Sequence, residues 1–148
     1  MRACVLSSFI RLVIVGGDVL LPEMLIEMRS WSKRGVRIIN AYGPTESTVT
    51  TIYEIPEEFS GVLVPKGRPV FGRTIYILDK NIQLVPIGVP GELHIGGAGL
   101  ARGYLNRPEL TKEKFIRNLF NNDPCSRLYK TGDLVRYLNS LMAATLPA

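Results

Sequence analysis

The chain has 148 residues, 46% hydrophobic and 21% charged, with a formal charge of +5. That length can bury one core, and the balance is ordinary for a soluble globular domain or part of a larger one. Lysines and arginines are scattered without interleaved aromatics, which argues against nucleic acid. No apolar run reaches the length of a membrane span, and a single histidine with two distant cysteines, Cys4 and Cys125, argues against zinc and for free thiols in a reducing cytoplasm.

The opening residues hold a basic and apolar pattern faintly like a signal peptide's, but Arg11 interrupts it, and a domain is expected to begin near residue 9. Residues 11–15 read as a buried strand ending at Gly16-Gly17, the punctuation of a strand-to-helix joint. Pro22 suits the first turn of a helix, along which Leu21, Met24, Leu25, Met28 and Trp31 recur at helical spacing, with Gly35 as its cap. Residues 36–39 are the next strand. Strand, helix and strand with short joints make a parallel βαβ unit with a right-handed crossover, so the fold class is α/β. Ligands of such sheets sit beyond the carboxyl ends of the strands, and residues 16–18 and 40–46 should therefore face one crevice.

From residue 48 the texture changes. Thr48 to Tyr53 is rich in β-formers, and a run punctuated by proline and glycine follows. Strands are expected at 74–78, 82–85 and 92–95, with a turn at 79–81. The alternation of Glu92-Leu93-His94-Ile95 predicts a half-exposed strand with His94 on the surface. Gly96 to Gly103 lacks dinucleotide-loop spacing and reads as a tight turn between strands. Residues 108–115 should be a short helix with Asn106 and Glu109 as a capping box, and 134–138 a last strand. Together these predict a barrel-like antiparallel β subdomain behind the βαβ unit.

Two segments carry chemistry. Asn40-Ala41-Tyr42-Gly43-Pro44-Thr45-Glu46 puts an amide, a flat phenol, a hydroxyl and a carboxylate into one loop after a strand. A nucleotide needs those four: a ring for the base, a partner for its amino group, a phosphate donor and an oxygen ligand for Mg2+. The competing reading is a helix start, with Thr45 or Ser47 as N-cap. In Tyr129-Lys130-Thr131-Gly132-Asp133, the carboxylate at a Thr-Gly turn either accepts bonds from a vicinal diol such as ribose or caps its own turn.

Four segments in order, 13–18, 40–46, 91–115 and 129–138, resemble the amino-acid adenylation domain of nonribosomal peptide synthetases, within the wider adenylate-forming (AMP-binding) enzymes. The resemblance spans residues 9–139 and implies roles position by position. Tyr42 would stack on adenine, with Asn40 and the Ala41 backbone at its amino group. Thr45 would contact the α-phosphate, Glu46 would ligate Mg2+, and Asp133 would hold the ribose. Ile14, Gly16, Ala41, Val49 and Thr50 would line the amino-acid pocket. The implied reaction joins an amino-acid carboxylate to the α-phosphate of ATP, and the acyl group then passes to the phosphopantetheine of a partner carrier domain among other synthetase modules. An acyl- or aryl-acid CoA ligase fragment and a non-catalytic remnant are the alternatives.

The resemblance also implies parts that these residues do not supply: a phosphate loop with its lysine, an aspartate for the substrate's amino group, and a terminal catalytic lysine. The chain is therefore expected to be inactive alone. Residues 140–148 depart from the family pattern, which continues Pro-Asp-Gly-Asn-Ile. One back-translation of Ser140 to Leu146 reads Pro-Asp-Gly-Gly-Asn-Ile two bases later, so a frameshifted tail without a structural role is expected.

Overall fold

The computed structural model describes residues 9–31, 35–139 and 142–145; Cys4 lies outside them. The expected βαβ unit is present as β1 (Leu12–Gly16), α1 (Pro22–Trp31) and β2 (Arg37–Tyr42), with β1 and β2 parallel. Branched residues at 13–15 and 38–39 favour extended backbone, and Glu23 and Arg29 match the helix dipole at its two ends. β3 (Thr51–Ile55) and β4 (Arg68–Pro69) add antiparallel, completing a mixed sheet in the order β1-β2-β3-β4.

Its core joins Leu20, Leu25, Ile38, Ile55 and Val64. This stripe is narrower than helical spacing predicts, because Leu21 and Met24 stay 48% and 47% exposed. β1 is also not the buried strand expected. It forms the sheet's edge, with Val15 packed on the core and Ile14 exposed.

The second sheet is antiparallel, with β5 (Arg73–Leu78), β6 (Gly91–Gly97), β8 (Arg127–Asn139) and β7 (Phe115–Arg117) in that spatial order. Among the described residues β5 and β7 do not pair with each other, so the sheet stays open and the barrel does not close. β9 (Met142–Thr145), in the tail expected to have no structural role, pairs with β8.

Local corrections have local causes. Residues 82–85 make one bridge, Leu78 to Leu84, because the Asp79 carboxylate gathers the N–H groups of Asn81 and Gln83 into a turn. α2 (Pro108–Lys114) lacks the capping box: Arg107 is its N-cap, and the Thr111 hydroxyl instead bonds Tyr104 N–H and the Arg107 carbonyl. Residues 98–107 lead from β6 into α2 rather than turning between strands.

His94 is fully buried, not on the surface. β6 is a central strand, and neighbouring Tyr76 of β5 stacks on Phe120 at 4.8 Å, which covers the second face. The inner face packs Ile77, Leu93, Ile95 and Val135, and Tyr42 from the end of β2 rests against this cluster. Tyr42 thereby ties the two sheets together. No helix among the described residues is long and apolar enough to cross a membrane.

Candidate functional site

The two sheets meet at a cavity of about 280 Å³. Residues 17–19 beyond β1, residues 41–44 at the end of β2, Lys66, and Thr131 and Asp133 of β8 line it. The crevice thus lies where the carboxyl ends of parallel strands predict, and β8 closes its far side.

Asp133 reaches the cavity through an irregularity in the ladder. Pairing runs from Glu92 with Leu134 to His94 with Lys130, so β6 advances two residues while β8 advances four. The extra residues bulge out and re-aim a side chain. Gly132 takes φ +81° there, its N–H bonds the Glu92 carboxylate, and the Thr131 hydroxyl accepts from Asp133 N–H at 3.0 Å.

In the cleft, the Tyr42 hydroxyl donates to Asp133 Oδ2 at 2.6 Å, and Lys66 Nζ lies 3.3 Å from the same oxygen. The Lys66 ammonium also sits 3.3 Å from the centre of the Tyr42 ring. Burial, reinforced by the Asp133 carboxylate, pushes the Tyr42 phenol far above its usual range, which keeps it a donor. Burial pulls the Lys66 ammonium below its ordinary value, and Asp133 partly restores it.

The rest of the 40–46 segment is distributed around this pair. Asn40 is buried beside a smaller adjoining pocket, and its amide nitrogen donates to the Pro65 carbonyl at 2.8 Å. No helix starts at Thr45 or Ser47. Residues 45–47 form a turn, with Ser47 N–H bonded to the Pro44 carbonyl, and Thr50 N–H returns to the Tyr42 carbonyl at 2.8 Å. Thr45 is exposed on this turn.

Glu46 does not line the cavity; it faces a pair of phenols. The Tyr104 hydroxyl donates to Glu46 Oε1, and the Tyr129 hydroxyl lies 3.4 Å from that of Tyr104. Partial burial opposes the charge on Glu46. The Tyr104 hydroxyl, a backbone N–H and the Lys114 charge outweigh it and hold the carboxyl below its ordinary range. An ionised carboxylate suits Mg2+, which takes one or two protein carboxylates and fills the remaining positions with phosphate oxygens and water. Among the described residues no group of three or more His, Cys, Asp or Glu side chains could cage a metal.

Of the five positions expected at an amino-acid pocket, Ala41 borders the cavity. Ile14, Gly16 and Val49 are exposed, and Thr50 is fully buried with its hydroxyl on Ser47 at 2.9 Å. Sequence reading missed Lys66, Tyr104 and Tyr129. The tyrosines lie inside the quoted motifs, whereas Lys66 in its Gly-Arg-Pro run gives no sign that it is buried.

Comparison with known proteins agrees with this fold. A family model described as AMP-binding enzyme matches residues 2–105. A linear gramicidin synthase of Brevibacillus parabrevis is 51% identical over 133 residues, covering 87% of this chain but 2% of that protein. The N-terminal subdomain of Klebsiella oxytoca NpsA, solved in complex with 3-hydroxybenzoyl-AMSN, superposes with a TM-score of 0.80 at 27% identity, over 93% of this chain and 35% of that one. The nonribosomal peptide synthetase FmoA3 gives a TM-score of 0.81 at 30% identity, over 92% of this chain and 14% of its own. The chain spans about 2% of the length of the first curated relatives it matches. With its fold and its sequence in agreement, the chain belongs to the AMP-binding enzyme family.

Proposed function

We propose that the chain is the nucleoside-gripping part of an amino-acid-activating domain of nonribosomal peptide synthesis. Residues 9–139 carry the family pattern and residues 140–148 depart from it. The observation that carries this reading is the convergence of Tyr42 and Asp133, from different sheets, on one cavity. An aromatic face and a carboxylate spaced by one hydrogen bond suit the two halves of adenosine, base and ribose diol. Asn40, with its amide nitrogen engaged by Pro65, keeps the amide oxygen as an acceptor for an exocyclic amino group. The Ala41 backbone would share that role.

Thr45, exposed on the next turn, would contact the α-phosphate, and Glu46 would ligate a divalent ion. Mg2+, when bound, would offset the charge that builds on phosphate oxygens as the bond to the carboxylate forms. The residues of this chain orient the nucleotide, and their contribution is alignment. The amino-acid pocket would draw on Ile14, Gly16, Ala41, Val49 and Thr50 together with residues outside this chain. A carrier domain and neighbouring synthetase modules would be its partners. The resemblance implies a phosphate loop that these residues do not match, and the chain alone is expected to give no amino-acid-dependent pyrophosphate exchange.

Calorimetric titration with AMP tests the nucleoside reading. Saturable binding is expected, weakened at least about tenfold by Tyr42→Ala or by Asp133→Asn, the loss of a stacked ring or a charged hydrogen bond. A folded chain that takes up no AMP would refute it.

A further inference from the structure

Lys66 stands out because its charged head is enclosed: the residue is only 7% exposed, 3.3 Å above the Tyr42 ring centre and 3.3 Å from Asp133 Oδ2. A buried ammonium costs desolvation and needs partners, and this one has two, an aromatic face and a carboxylate. Those are the same two groups on which the nucleoside reading rests. A base stacked on Tyr42 needs its atoms at about 3.5–4 Å from the ring face, a layer that the ammonium already fills.

The backbone beneath Lys66 is pinned. The Pro65 carbonyl accepts from Asn40 at 2.8 Å, and the Lys66 carbonyl accepts from the Thr51 hydroxyl at 2.7 Å. Val64, two residues earlier, is locked in the first core. Only the side chain can swing, about its own flexible torsions, so the cleft can be vacated without moving a strand.

We propose that Lys66 is a built-in occupant of the nucleoside seat, and that adenosine binds by displacing its ammonium from Tyr42 and Asp133. The lysine thereby sets the affinity of the site: it keeps the ring face and the carboxylate satisfied when empty and competes with the nucleotide when it arrives. This inference rests on the nucleoside reading of the cleft.

Two measurements on the full chain test it. The first compares AMP binding by wild type and Lys66→Met, which keeps an unbranched apolar stem and removes the charge. The variant is expected to bind about threefold to thirtyfold tighter, the worth of a cation–π contact that no longer has to be broken. The second reads the acetylation rate of Lys66 in the wild type by mass spectrometry, with and without AMP. Displacement should make the enclosed amine more reactive, and this readout stands even if the variant fails to fold. Equal or weaker AMP binding by a folded variant, or protection of Lys66 by AMP, overturns the inference while the nucleoside site survives. Absence of AMP binding in both proteins overturns the two together.

Discussion

Two glycines that flank cavity-lining residues are required for different physical reasons. A Cβ on Gly16 would lie 2.2 Å from the Ala41 carbonyl oxygen, because β1 and β2 pair tightly at that point. Gly132 has open space where a Cβ would stand, but its φ of +81° is one that L side chains rarely adopt. Gly16→Ala should therefore cost about 1–3 kcal/mol through overpacking, and Gly132→Ala about 1–2 kcal/mol through backbone strain alone. Denaturant titration checks both, and AMP affinity should fall with Gly132→Ala because Asp133 follows its backbone. His94 adds a pH dependence. Burial lowers its imidazole pKa, the Glu92 carbonyl and charge work the other way, and Lys130 across the ladder lowers it further. Nδ1 faces the Glu92 carbonyl, and buried Nε2 has no partner among the described residues to receive a second proton's bond. Unfolded histidine titrates near about 6.5, so its stabilising contribution is complete above that pH and is lost as pH falls through the lower folded value. Melting curves at pH 7.5 and 5 should show a larger drop for wild type than for His94→Gln; equal drops would assign the acid sensitivity to the carboxylates.

At the scale of elements, α1 is held by few anchors. Leu25 is 2% exposed in the first core while Ile26 next to it is 71% exposed. Leu25→Ala should cost about 2–4 kcal/mol and Ile26→Ala no more than about 0.5 kcal/mol, a contrast that thermal melts resolve. The βαβ unit was legible because apolar spacing, Pro22 and the Gly16-Gly17 joint are local signals of 3.6- and 2-residue periods. The same locality explains what was not legible. His94 sits on an alternating strand that reads as half exposed, yet β6 ends up between two neighbours with both faces covered, and no residue of β6 records that. Strand patterns mark the members of the second sheet but not whether its edges meet, so nothing local showed that the sheet stays open. Lys66 is the sharpest case: its burial depends on Asp133, 67 residues further along, and on Tyr42, whose bond to Asp133 spans 91 residues. Asp133 itself was visible as a carboxylate at a Thr-Gly turn, but the bulge that aims it arises only when β8 pairs with β6.

The described residues form two sheets with separate cores, joined inside the cleft and at Glu46 outside it. Tyr42 packs on the second core, Tyr42 and Lys66 bond Asp133, the Tyr104 hydroxyl reaches Glu46, and Ala101 N–H bonds the Glu46 carbonyl at 2.7 Å. A ligand that bridges Tyr42 and Asp133 therefore adds a clamp between the sheets rather than a contact within one. At a hundredfold excess over its dissociation constant such a ligand stabilises the folded state by about 2.7 kcal/mol. The protection should not be local to either sheet. Hydrogen exchange with increasing AMP should slow the amides of residues 42–45, proline excepted, and of residues 131–133 with the same half-saturation point, because one molecule touches both. Asp133→Asn should shift both curves together to higher AMP. If residues 42–45 respond and 131–133 do not, AMP contacts Tyr42 without engaging Asp133, and the cleft is not a single nucleoside site.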